Sequence, residues 1–552
     1  MPARGGSRGV PGKNLRMLGS TPLIGHVLGT LGSDLPADRI VVSTDSNEIA
    51  RFCRPHARIH ERDPQLATAD ATLDQVAVAV CEWLISSCGA SPEDLLLTVQ
   101  PTSPFLSIES IRGCVRHLEE GARTVLTVRD DRHLRWGLDE QGEPRPLYAA
   151  RVNRQQLPRE FAETGGVIGA KTGTILGDRT RIGEPVAVIP LEEREALDID
   201  SPADWALAEY YVNRRTIVIR ADGGRGLGLG HVHRALALAY ELADHNVALV
   251  TREDGEYALG RDLLAREPYP VRTVTSDAEF LELLDSMMPD ITILDVLDTE
   301  VELTAAVAQR SRFLVTIEDL GPGSRMADIV INDLYTDLYP QDNHWYGVQH
   351  AILGRPFDQF TTSADPELAT AGSNGGDLRV LVSFGGSDEQ DLTARTLDAL
   401  AAMEFAGRVT VVLGPGYDHD PPDLDQLGLA GEVHRDVRDM AAIMAGADLA
   451  ITSAGRTVTE LMVVGVPTLA MCQNMRELRH THASSPFGVM NLGLGEHVGT
   501  ETLAEYIRLV LVDDDLRRDM KQRASRAISD RSNSVICRRI LERAERKWEE
   551  EG

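Results

Sequence analysis

A chain of 552 residues with 42% hydrophobic side chains has material for roughly three ordinary domains with packed cores. Its formal net charge of −29 argues against nucleic acid as a partner, because a phosphate backbone would be repelled over most of the surface. No apolar run is long enough to span a bilayer, and Met1 leads straight into a cationic stretch, so no membrane span and a cytoplasmic location are expected.

The chain opens with a glycine- and arginine-rich loop, Arg4-Gly5-Gly6-Ser7-Arg8-Gly9, which runs on to Lys13 and Asn14. Strands are expected at residues 39–43, 95–99 and 124–128, and helices at 46–53, 73–86 and 108–120. Short apolar runs alternating with amphipathic stretches make a βαβ rhythm, which predicts a mostly parallel sheet. A loop that grips phosphate ordinarily follows a buried first strand. Here Met1 alone precedes it, so either the true start lies upstream or the sheet lacks part of a central strand. A helix at 208–215 closes this first domain, 1–214, with almost no linker.

A strand at 216–220 begins a second series and leads through Asp222 into Gly228-Leu229-Gly230-His231-Val232-His233-Arg234 and an apolar helix at 235–242. Apolar strands recur at 247–250, 291–294, 313–316 and 329–331. Residues 361–377, rich in small and polar side chains, read as an interdomain hinge. Further strands follow at 379–384, 409–413, 449–452 and 468–471, and residues 513–550 read as a charged helix or helix pair. Two successive Rossmann-like halves, 215–372 and 373–552, imply a cleft between them, the default binding place for open α/β sheets. The six cysteines form no CxxC pair and read as reduced thiols. The lysines are Lys13, Lys171, Lys521 and Lys547, against many arginines; this balance suits a high-salt cytoplasm, the reading preferred over a GC-rich genome, which would also favour arginine.

In the first loop, Gly5, Gly6 and Gly9 let backbone N–H groups approach phosphate oxygens, while Arg4, Arg8 and Lys13 supply charge. A lone loop of this kind is ordinarily a solvated terminus. Further motifs outweigh that reading: Ser43-Thr44-Asp45, Gln100-Pro101-Thr102-Ser103-Pro104, Arg154-Gln155-Gln156-Leu157-Pro158 and Asp198-Ile199-Asp200. With these in order, residues 1 to about 212 resemble the CMP-sialic-acid synthetases and relatives that activate other nonulosonic acids. The resemblance implies a nucleotidyltransferase α/β domain of GT-A type. It implies attack by a sugar acid's anomeric hydroxyl on the α-phosphate of CTP, with release of pyrophosphate, and a homodimer. Arg4, Ser7, Arg8, Lys13 and Asn14 would hold the triphosphate, Arg4 and Lys13 steadying transition-state charge. Gln100, Arg154 and Gln155 would face the sugar acid, Arg154 as a guanidinium fork for its carboxylate. Asp198 and Asp200 would hold Mg²⁺. The family's Asn-Gly-Ala-Ile-Tyr-like strand is here Thr164-Gly165-Gly166-Val167-Ile168, without the aromatic residue.

In the second loop, backbone N–H groups at Gly228 and Gly230 would meet a pyrophosphate at the positive end of a helix. A lone histidine there more often packs or caps the helix. Arg220-Ala221-Asp222, Gly228–Arg234, Ile293-Leu294-Asp295, Ile317-Glu318-Asp319, Ser383–Asp388 and Ser453-Ala454-Gly455 with Glu460 add to the pattern. From residue 216 the chain resembles UDP-sugar hydrolases of the pseudaminic-acid pathway and related predicted glycosyltransferases of spore-coat polysaccharide synthesis. That implies a two-lobed GT-B-type fold. His231 would act as general base, a role suited to a side chain that titrates near neutrality. Asp222, Gly228, Gly230, Arg234, Gly385, Gly386, Ser387, Ser453, Gly455, Glu460 and Asn474 would hold a UDP-linked acetamido-sugar. Two positions depart from the family: Leu297 stands for a tyrosine, and Asn474-Met475 for Asn-Gln. Hydrolysis of the UDP-sugar is expected, with transfer to an acceptor or a catalytically silent binding module as the alternatives. A nonulosonate synthase acting between the two activities is the expected partner.

Overall fold

The computed structural model describes residues 1–6, 9–68, 70–224, 228–336, 342–361, 378–435, 437 and 439–551. The chain divides into two compact units, Met1–Arg214 and Arg215–Gly552. Nearly all of the expected hinge at 361–377 lies outside the described residues.

In the first unit, β1 (Val41–Thr44) pairs in parallel with β2 (Arg58–Glu61). The chain start lies along β1: the Ala3 amide donates to Ser43 O at 2.9 Å and the Ser43 amide to Met1 O at 3.0 Å. A second sheet runs in the order β6 (Val186–Pro190), β4 (Thr124–Asp130), β5 (Phe161–Lys171), β3 (Leu95–Val99). Here the parallel expectation needs correction. β5 is central and antiparallel to both β3 and β4. Its three glycines hide an 11-residue strand from a propensity reading. Ala3, Ile24, Val42, Val99, Val125 and Val167 nevertheless share one apolar core. Helix Ile108–Glu119 covers it with Ile111, Cys114 and Leu118, the i, i+3, i+7 spacing of one face, and Ser107 caps its start.

The second unit holds two parallel sheets. The first runs β9 (Val271–Val274), β8 (Asn246–Arg252), β7 (Thr216–Ala221), β10 (Ile291–Asp295), β11 (Phe313–Ile317), β12 (Ile329–Asn332), β13 (His344–Tyr346). The second runs β16 (Ala430–Arg435), β15 (Arg408–Leu413), β14 (Arg379–Ser383), β17 (Leu449–Ser453), β18 (Thr468–Cys472), β19 (Val489–Leu494). Each begins 3-2-1-4-5-6 when counted within its own lobe, the Rossmann order, which reverses between the first and fourth strands and opens a crevice there. Two such lobes make a GT-B-type pair. The last helix, Asn533–Glu551, returns to the first lobe although its sequence follows the second. Ile536, Cys537, Ile540 and Ala544 join the core of Ile217, Leu249 and Ile293, and Lys547 donates to Asp328 at 2.8 Å. Among the described residues no helix is long and apolar enough to cross a membrane, and all six cysteines are free.

Candidate functional site

In the first unit a small apolar cluster brings the cationic loop to the Asp198–Asp200 segment. Val10 and Ile199 are buried together with Leu18, Leu23 and Trp205. Their neighbours therefore abut, and a Cβ on Gly9 would sit 1.8 Å from Asp200 O, so no larger residue fits. Lys13 Nζ donates to Ile199 O at 2.5 Å and to Asp200 Oδ1 at 3.1 Å. Asn14 is buried and donates to Arg4 O at 3.0 Å, bracing the loop from behind. The Gly5 amide donates to Asp45 Oδ1 at 2.8 Å. Ser7 and Arg8 lie outside the described residues.

Asp198 and Asp200 differ sharply in setting. The Asp200 side chain is 77% exposed. Asp198 is half-buried; burial pushes its carboxyl up against the pull of a hydrogen bond from Thr102, and its Oδ1 is buried without a hydrogen-bond partner among the described residues. A Cβ on Gly165 would lie 2.7 Å from Asp198 Oδ2 and 2.8 Å from Gln100 Nε2. Glycine at this point of β5, where the family strand also has one, is thus what lets Gln100 and Asp198 close on one spot. An orphaned buried carboxylate oxygen beside an exposed carboxylate fits a hard cation that completes its shell with phosphate oxygens. Among the described residues no cluster of three or more His, Cys, Asp or Glu side chains could hold a metal by itself.

Arg154 and Gln155 stand on an exposed turn. Gln155 O accepts from Arg132 Nη1 at 3.4 Å, and Asp130 is held below the usual carboxylate range by its hydrogen bond from Arg132, with Arg154 adding its charge. Sequence reasoning missed Arg62. It is buried, donates from Nη2 to Ser43 O at 2.7 Å and from Nε to Ser43 Oγ at 3.2 Å, and feels the charges of Asp45 and Arg4. A single arginine after a short strand left no signal.

In the second unit β7 and β10 are adjacent, with Ala221 opposite Asp295. This register sets Asp295 beneath the helix Gly230–Glu241. His231 Nδ1 lies 2.5 Å from Asp295 Oδ1, and Arg234 donates to both Asp295 oxygens through Nε and Nη2. Asp295 is 0% exposed. Burial alone would raise its carboxyl; the charges of Arg234 and His231 outweigh burial and hold it below the usual range. With Nδ1–H given to Asp295, Nε2 is left as the basic nitrogen, the arrangement of an oriented general base.

Arg234 Nη2 also donates to Glu318 Oε2 at 3.1 Å. From the other lobe, Arg456 Nη2 donates to the same Glu318 oxygen at 3.2 Å and to Asp333 Oδ1 at 3.3 Å. Arg476 donates to Asp298 Oδ2 at 2.9 Å and to Glu318 O at 3.2 Å. Burial pushes Asp333 up to about 7 against the charge of Arg234. Glu318 and Leu297 have φ of 58° and 64°, left-handed values that side chains with a Cβ adopt at a cost, so backbone strain collects at this cleft.

The two segments expected to hold phosphate both follow strand ends, as a turn at 385–387 and a bend at 454–455. Gly385, at φ 79°, and Gly386 precede Ser387, and a Cβ on Gly386 would lie 3.4 Å from Gly228 Cα across the lobes. Behind Ser453-Ala454-Gly455, His480 Nδ1 donates to Ala454 O at 2.9 Å and His482 Nε2 to Gly455 O at 3.1 Å. Burial, aided by neighbouring positive charge, pushes His482 down to about 3, so this brace stays neutral. The front of the turn meets Glu477, which accepts from Ser453 and the Ala454 amide. Burial pushes Glu460 up to about 7. Two expected ligand residues have local tasks. Asp222 accepts from the Arg252 amide at 2.9 Å, and Asn474 Oδ1 accepts from the amides of Arg476 and Glu477, each at 3.0 Å.

The two units match different known proteins. A cytidylyltransferase family model matches residues 1–136. The CMP-N,N'-diacetyllegionaminic acid synthase of Legionella pneumophila is 31% identical over 219 residues, 38% of this chain and 93% of that protein. The spore coat polysaccharide biosynthesis protein SpsG of Bacillus subtilis is 25% identical over 343 residues, 59% of this chain and 97% of that protein. Among solved structures, a glycosyltransferase from Rickettsia africae is similar at a TM-score of 0.42 and 14% identity, covering 61% of this chain and 99% of that one. The chain spans about half the length of the first curated relatives it matches, 56% of one and 50% of the next. None of these names speaks of hydrolysis, so the expected UDP-sugar hydrolase activity finds no support in them. Through its first unit, the chain belongs to the cytidylyltransferase family of CMP-nonulosonate synthetase type, with an SpsG-like unit fused behind it.

Proposed function

We propose that the first unit transfers CMP from CTP to the anomeric hydroxyl of a nonulosonic acid. That oxygen bonds to the α-phosphorus, the bond to the β-phosphate bridge breaks, pyrophosphate leaves and the hydroxyl proton is released. The observation that carries this reading is the convergence of Lys13, Gln100, Asp198 and Asp200 beside a loop that glycine alone permits at residue 9. Lys13 would steady negative charge on the triphosphate, and Gln100 would orient the sugar acid. Arg154 would pair with the sugar acid's carboxylate. Asp198 and Asp200 would hold Mg²⁺, which when bound supplies charge neutralisation to the phosphates. The test is a panel of nonulosonic acids with CTP and Mg²⁺, read as the mass of the CMP-sugar formed. No CMP-sugar from any member would refute it.

For the second unit we propose cleavage of a nucleotide sugar, a UDP-linked acetamido-sugar, with transfer of the sugar to an acceptor hydroxyl. His231 Nε2, oriented by Asp295, removes the acceptor's proton as the anomeric bond to the diphosphate breaks. Glu460 would accept from the ribose hydroxyls, and Gly385–Ser387 would hold the diphosphate. UDP release by the full chain, with and without candidate acceptors, tests this. Release that needs an acceptor supports transfer, whereas equal release without one makes water the acceptor and restores hydrolysis. A homodimer completes the proposal; a synthase that condenses the freed sugar with phosphoenolpyruvate joins it only where water proves to be the acceptor.

A further inference from the structure

The cleft of the second unit holds a cation that the reading above leaves without a task. Arg456 directly follows the Ser453-Ala454-Gly455 turn and reaches across to the first lobe. Its stem passes so close to Gly230, the residue before His231, that a Cβ there would sit 2.9 Å from Arg456 Cδ. Resting on the reading of this unit as a nucleotide-sugar enzyme, we infer that Arg456 is its diphosphate-binding cation, parked on Glu318 and Asp333 until the ligand's phosphates take it over.

The carboxylates that hold Arg456 do not depend on it alone. Arg234 already grips Asp295 with two nitrogens and reaches Glu318, and it lies 3.7 Å from Asp333 through Nη1. When Arg456 leaves, Asp333 can take up a proton instead, since its carboxyl already sits near neutrality. The cluster also has donors to spare. Arg456 Nε and Arg234 Nη1 are both buried without a hydrogen-bond partner among the described residues, the state expected where an anionic acceptor is still to come.

The neighbouring groups narrow the choice to Arg456. The Ser453 hydroxyl and the Ala454 amide are engaged by Glu477, so this turn offers little to a phosphate until Glu477 moves. Arg476 is tied to Asp298 and to the backbone of Glu318, which keeps the lobes joined while the Arg456 side chain swings. A guanidinium is also suited to the task, because its fork matches two phosphate oxygens at once.

The test is calorimetric titration of the full chain with UDP, UMP and uridine under saturating CTP, which masks the first unit. The wild type should bind more tightly with each phosphate. Arg456→Ala should weaken UDP at least tenfold and leave uridine unchanged, and Arg456→Lys should keep part of the difference. Glu318→Gln removes the competing charge and should tighten UDP a few-fold. This variant carries the test alone if Arg456→Ala does not fold. The inference is overturned if Arg456→Ala keeps the wild-type ratio of UDP to uridine affinity, or if Glu318→Gln weakens UDP. Wild-type protein that binds none of the three would overturn the nucleotide-sugar reading as well.

Discussion

Replacing Asp295 by asparagine probes the second unit at its most buried charge. The carboxylate accepts from His231 and twice from Arg234 at 0% exposure, and an asparagine must turn an N–H toward one of those donors. Breaking a buried pair in this way costs about 3–5 kcal/mol, because the arginine charge stays behind uncompensated. For a unit the size of Arg215–Gly552 the unfolding entropy is about 0.7 kcal/mol/K, so its melting transition should fall by about 4–7 °C. The same change leaves His231 without its orienting acceptor and should lower UDP release by about 10²–10⁴-fold. Scanning calorimetry of the full chain, following the transition that added UDP raises, gives the first number, and UDP release gives the second. CTP turnover by the first unit serves as the control and should not change. A melting shift below 1 °C together with UDP release within threefold of the wild type would refute the dyad.

The first unit offers a sharp steric test: Gly9→Ala places a Cβ 1.8 Å from Asp200 O, so the loop must move and KM for CTP should rise at least tenfold in steady-state assays. The final helix can be assigned to its lobe by Ile540→Ala, which empties a side chain 1% exposed in the first-lobe core and should cost about 2–5 kcal/mol in urea unfolding. Asp333 gives a pH dependence of definite sign. Its native form, raised to about 7 by burial, keeps a proton that the unfolded chain releases near pH 4, so the wild type loses stability as pH rises from about 4 to 7. The loss approaches about 4 kcal/mol. Urea unfolding at pH 5 and 7.5 should therefore show Asp333→Asn gaining on the wild type at the higher pH, and a gap that does not change between the two pH values would count against the burial argument.

Much of the fold was legible because its strands are nearly pure apolar runs. Residues 95–99, 313–317 and 449–453 are apolar but for one threonine each and the serine that ends the last, as strands covered on both faces should be. β9 and β13 were missed because Val-Arg-Thr-Val and His-Trp-Tyr lie at a sheet edge, where burial imposes no such pattern. His231 and Arg234 could be read from their motif, but the Asp295 contact depends on β7 and β10 being neighbours, a long-range register that no local pattern encodes. Arg456 meets Glu318 across 138 residues of chain, and it looked like one arginine among many. Gly165 stands where the family strand also has glycine, but the crowding by Asp198 and Gln100 that requires it appears once β5 is placed.

The convergence of Lys13, Gln100, Asp198 and Asp200 is proposed to make a cytidylyl-transfer site. Pyrophosphate release from CTP and a nonulosonic acid, compared between the wild type and Asp198→Asn in the presence of Mg²⁺, tests it most directly. Release by the wild type should depend on the sugar acid and fall at least a hundredfold in the variant. Release that is absent from the wild type with every sugar acid, or equal in the two proteins, would contradict it.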